Sequence, residues 1–112
     1  MDEYNRILFH EGLPLSQINP GSTEYALSAD AALRAIGALE GTAIAILGGD
    51  VLTENDGKLA YTESNWFCNK QDGSCDQEYA VASRAAAAEY ISRYEATTGA
   101  RQHALYVLVI QD

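Results

Sequence analysis

Long apolar runs are missing from this chain. The longest, Ala104 to Ile110, has seven residues, against roughly 20 needed to cross a bilayer. No membrane-spanning helix is expected. The N-terminus, MDEYNRILFHEG, opens on acids and lacks the basic segment of a secretory signal, so a cytoplasmic address is expected. Cysteine is scarce, with only Cys68 and Cys75 present. In a reducing compartment both are expected as free thiols. A zinc site needs about four ligands at short spacing, and the two histidines, His10 and His103, share no motif with the cysteines. No metal and no other cofactor is expected. Basic residues are few. Seven Lys and Arg stand against sixteen Asp and Glu, a net charge of -9. Phosphate affinity comes mostly from Lys and Arg, so nucleic-acid binding is disfavoured. A basic partner, or simply high solubility, fits the charge better.

What is present describes one globular domain spanning residues 1–112. Apolar residues make up 47% and charged residues 21%, enough apolar content to close a single core. Residues 1–12 can form a short helix with Tyr4, Ile7 and Leu8 on one side. Both prolines fall in 13–24, where Asn19-Pro20-Gly21 predicts a turn. Ser28-Ala29-Asp30 has the chemistry of a helix start, and Gly41 that of its end. Thr42 to Leu47 reads as a buried strand that Gly48-Gly49 interrupts. Asn55-Asp56-Gly57 between strand-like runs predicts a hairpin, with Leu59 and Tyr61 on one face. Ser74-Cys75-Asp76-Gln77 matches a capping box opened by Ser74. The helix behind it should run from about 76 to 95 and bury Tyr79, Ala82, Ala86, Tyr90 and Tyr94. Ala104 to Ile110 predicts a central strand. The order implies an α+β domain in two layers, with helices on one face of a mostly antiparallel sheet of about four strands.

Three candidate sites compete. Gly48-Gly49-Asp50 is a poor phosphate cradle, because a hairpin and not a helix follows it. Its better reading is a bulge or bend where another backbone comes close. A small enzyme would need a cleft at the sheet end that joins Asp50 to His103 or Cys68. The third candidate is the segment Asp50 to Glu78. It holds seven acids against Lys58 and Lys70, a local balance of -5, with Tyr61, Trp66 and Phe67 among them and Tyr79 directly after. Rings that supply contact area inside a charged rim are what a protein-binding surface needs. Asp50, Glu54, Asp56, Glu63, Trp66 and Phe67 are the candidate contact residues. The competing structural role for Trp66 is as core.

The ordered set EYALSADAALRAIGALEG, AIAILGGDVL, YTESNWFC, AEYISRY and LYVLV, over residues 24–110, resembles the immunity protein 40 family of bacterial polymorphic toxin systems. The residues that carry the likeness are Gly48-Gly49-Asp50-Val51, Asn65-Trp66 and Tyr90-Ile91. Leu52 departs from it, since the family more often has an aromatic there. The resemblance implies a cytoplasmic α+β protein without enzyme activity that binds and neutralises a cognate toxin. An acidic face would suit a basic toxin such as a nuclease.

Overall fold

In the computed structural model, which describes residues 2–111, five strands and four helices follow one another in the order expected of an α+β chain. Helix α1 (Asp2–Glu11) leads into a short ribbon of β1 (Leu13–Pro14) and β2 (Tyr25–Ala26). Between them lies the turn at Asn19, where Ser22 N–H donates to the Asn19 carbonyl and Gly21 has φ 92°. Helix α2 (Ala29–Ala38) is capped by Ser28, whose hydroxyl accepts the Ala31 N–H at 3.1 Å. The main sheet follows with β3 (Ala45–Asn55), β4 (Lys58–Phe67) and β5 (Ala104–Gln111), all antiparallel in the order β4-β3-β5. Helix α3 (Asp76–Tyr94) crosses between β4 and β5, and a π turn (Glu95–Gly99) joins it to α4 (Ala100–Gln102).

Strand alternation sorts the sheet residues onto two faces. On one face Ile46, Val51, Ala104, Tyr106 and Leu108 form the main core with Tyr4, Ile7, Ile36, Leu39, Ala87 and Ile91 of the three longer helices. On the other, Leu52, Leu59 and Val107 pack with Leu15 and Ala26 of the N-terminal segment. The helices lie on one side of the sheet, as the two-layer reading expects. The ribbon then covers part of the opposite side.

The double glycine does not interrupt the strand. β3 runs through it for 11 residues. The expected close approach is real, and neither glycine has a positive φ. A Cβ on Gly48 would meet the Trp66 carbonyl oxygen, and one on Gly49 would meet the Trp66 ring and the Val107 carbonyl oxygen. The irregularities lie beside the pair. β3 gains a residue against β5 between Ile46 and Gly48, and β4 gains two against β3 between Tyr61 and Asn65. The hairpin turn is as read: Asp56 and Gly57 have φ 52° and 80°, the pair of positive values that a type I′ turn requires.

Helix α3 departs from its sequence reading in three ways. Its cap is Cys75 and not Ser74. The thiol accepts the Glu78 N–H at 3.5 Å, and the Glu78 carboxylate accepts the Cys75 N–H at 2.8 Å. The helical path continues past Gly99 to Gln102 and ends at His103 in the left-handed region, φ 54°. Its buried stripe is Tyr79, Ala80, Ser83, Arg84, Ala87 and Ile91, so Ala82 is exposed and Tyr90 and Tyr94 are half-buried. Two polar side chains in that stripe fasten the helix to the strand entry. The Ser83 hydroxyl accepts the Ile46 N–H at 2.9 Å and donates to the Ala80 carbonyl at 3.0 Å. Arg84 donates to the carbonyls of Thr42 and Ile44, both at 3.0 Å. Replacing Ser83 by alanine strands the buried Ile46 N–H. A loss of about 1 to 3 kcal/mol is expected, read as a lower urea midpoint with unchanged slope.

Candidate partner-binding edge of the sheet

The candidate contact residues lie on and around the β3–β4 hairpin. Asp50 and Glu54 share a strand face with Leu52, the face turned away from α3. On β4 the same face carries Tyr61, Asn65 and Phe67. Phe67 is 75% exposed and Tyr61 50%, although Tyr61 shares its face with buried Leu59 as expected. The ribbon covers Leu59 and stops short of Tyr61 and Phe67. Asp56 sits at the exposed hairpin tip and Glu63 in the exposed bulge of β4. Asp50 and Phe67 thus lie toward the open end of the β3–β4 pair, Glu63 midway along the β4 edge, and Glu54 and Asp56 at the hairpin tip, about 20 Å from Phe67.

Trp66 points the opposite way. Its indole lies against Gly49 and stacks on Tyr90, with centroids 4.7 Å apart and planes at 26°. The stack continues to Tyr94 at 6.0 Å, which meets Tyr106 edge-on at 6.2 Å. Tyr106 closes the series by donating to the Glu95 carboxylate at 2.7 Å. The Trp66 indole N–H is buried and has no acceptor among the described residues. Trp66 packs half-buried against the core and lines the surface groove between β4 and α3. This arrangement gives the Gly-Gly, Asn-Trp and Tyr-Ile pieces a structural meaning: Gly49 makes room for the Trp66 ring, Tyr90 stacks on that ring, and Ile91 is buried in the same core. Leu52, the departure, is fully buried on the ribbon side. A larger ring there would be a packing change and not a contact change.

Two shallow depressions flank Phe67. One, about 220 Å³, lies over Gly48 and is walled by Leu47, Asp50, Asn65 and Val109. The other, about 310 Å³, lies on the helix side between Trp66, Ala86, Glu89, Tyr90 and Arg93. Glu24 extends the acidic rim on the far side of Asp50. Burial first, and then the Asp50 charge, hold its carboxyl above the usual carboxylate range. The folded state therefore binds that proton more tightly than the unfolded chain. Stability falls as pH rises from the ordinary glutamate value through the raised one, and the loss persists at neutral pH. Glu24→Gln should raise the urea midpoint at pH 7. The gain should vanish at pH values below about 4, where the unfolded chain is protonated too.

The residues of an enzymatic reading are not brought together. Cys68 N–H bonds the Leu47 carbonyl at one end of β3, whereas His103 precedes Ala104, which pairs with Thr53 near the other. Six strand residues, about 20 Å at the usual rise, separate them. Asp50 lies between and reaches neither end. Among the described residues no group of three His, Cys, Asp or Glu is placed to hold a metal ion. Both cysteines are free thiols. No helix among the described residues is long and apolar enough to cross a membrane.

Fold and surface define a small antiparallel α+β domain with an acidic, aromatic-bearing sheet edge. The sequence model of the immunity protein 40 family matches residues 14–110, nearly the whole chain, and the chain belongs to that family. No curated protein and no solved structure matches it.

Proposed function

We propose that this chain acts in the cytoplasm as the immunity protein of a basic toxin, a nuclease being the best fit. It would neutralise that toxin by occluding its active site or substrate path with the acidic β4 edge of the β3–β4 hairpin. The observation that carries the reading is Phe67, an aromatic ring 75% exposed on a sheet edge that carries Asp50 and Glu63 near it and Glu54 and Asp56 farther along toward the hairpin tip. Family membership supports a toxin as the partner. The charge supports its being basic: a nuclease site that attracts phosphate also attracts carboxylates. One face of this domain can supply the roughly 800 Å² per partner that a stable inhibitor complex buries.

The test is co-expression with the toxin domains encoded in the genomic neighbourhood. Survival of cells that one such domain otherwise kills, with a stoichiometric complex on gel filtration, is the expected result. Survival without a complex would contradict occlusion.

A further inference from the structure

β4 is an edge strand, and its main chain is aimed outward at a defined place. The bond from Cys68 N–H to the Leu47 carbonyl, 2.9 Å, continues the register Gly48↔Phe67, Gly49↔Trp66, Asp50↔Asn65. Antiparallel pairs alternate between bonded and non-bonded. Leu47/Cys68 and Gly49/Trp66 are therefore bonded, and the N–H and C=O of Asn65 and Phe67 point away from β3. No strand among the described residues pairs with that side of β4. The only other outer strand, β5, is already partly engaged: Leu27 and Tyr106 exchange two main-chain bonds of 2.8 and 2.7 Å. Open edges are commonly guarded by lysines or bulges. Here Lys58 and the Thr62–Ser64 bulge guard the half of β4 nearer the hairpin tip, and Asn65–Phe67 is left regular.

We infer that Asn65–Phe67 is a strand-addition site, at which an extended basic segment of the toxin pairs with the β4 edge. This rests on the immunity reading and specifies how the partner is held. An added strand would place alternate side chains on the two faces of the sheet. One set would lie beside Phe67 over the Gly48 depression. The other would enter the groove of Trp66, Ala86 and Tyr90, where Glu89 offers a carboxylate beside Arg93. Charge chooses the occupant. Asp50, Glu63 and Glu89 stand near Asn65–Phe67 against Arg93, with Glu54, Asp56 and Lys58 farther along toward the tip, so a lysine- or arginine-bearing strand is attracted. A second copy of this chain, pairing β4 to β4, would bring two such acidic sets together and is repelled.

The experiment uses the intact protein and the toxin domain that it protects against in co-expression. Backbone amide exchange is compared free and bound, and affinity is measured for Asn65→Pro and Asn65→Ala. Proline removes the outward N–H and is tolerated on an edge; alanine keeps it. Expected are slowed exchange at Asn65 and Phe67 on binding, affinity about tenfold weaker for Asn65→Pro, and little change for Asn65→Ala. A folded Asn65→Pro with unchanged affinity, or unchanged exchange at both amides in a complex that forms, overturns strand addition and leaves the immunity reading standing. A complex between two copies of this chain through β4 overturns the choice of occupant. Failure of any toxin domain to bind overturns both.

Discussion

Reversing Asp50, Glu54 and Glu63 together to lysine is expected to slow association with the toxin by about 10- to 100-fold at low salt. It also flattens the dependence of that rate on ionic strength. The three positions are half-buried or exposed, and none of their carboxylates has an ion-pair partner among the described residues. The change therefore acts on long-range attraction and not on folding. At Asp50 it even relieves a repulsion, because Glu24 sits within reach of that charge. Stopped-flow binding across a salt series measures the effect. Screening acts within about 10 Å at 0.1 M salt, so wild type and variant should converge as salt rises. Equal rates at every salt concentration would place the toxin on another surface.

Gly49→Ala is the substitution with the largest expected cost in stability. The added carbon would meet the Trp66 ring on one side and the Val107 carbonyl oxygen on the other. The ring cannot withdraw, because Tyr90 stacks behind it at 4.7 Å, and the carbonyl belongs to the paired strand β5. Overpacking of this kind costs about 3 kcal/mol, which for a domain of this size lowers Tm by roughly 10 to 20 °C. Gly37→Ala is the control. A Cβ there meets nothing within 4 Å, and glycine inside α2 gives up about 0.5 to 1 kcal/mol of helix stability relative to alanine. The two variants should move Tm in opposite directions. An unchanged Tm for Gly49→Ala, with toxin binding lost, would make the double glycine a contact feature.

These two predictions separate what was legible in the sequence from what was not. The hairpin was legible because its chemistry is local: Asp and Gly are the residues that favour the paired positive φ values found at Asp56 and Gly57. The start of α2 was legible for the same reason, since Ser28 caps three residues ahead. The continuity of β3 was not. Two glycines read as a break until the Trp66 ring, a strand away, is seen to need the space. The buried side of α3 was obscured by its own alanines, which mark no face. Arg84 gave no signal of burial because the carbonyls that satisfy it, Thr42 and Ile44, lie about 40 residues earlier. The cap fell on Cys75 because Glu78 closes the box from three residues ahead, where a serine-first reading favours Ser74. At the candidate site, composition identified the acids and rings. It could not divide Trp66 from Phe67, because adjacent strand residues face opposite ways and only the fold fixes which side is covered.

In the proposed complex, the acidic β4 edge that carries Phe67 occupies the toxin. The most direct measurement is titration calorimetry of the purified chain, alongside its Phe67→Asp variant, with the toxin domain that co-expression selects. Expected are a one-to-one complex for the wild type and a loss of at least about 2 kcal/mol of binding free energy for the variant, the mark of an interface anchor, with unaltered thermal stability. Full affinity in Phe67→Asp would contradict that occupancy.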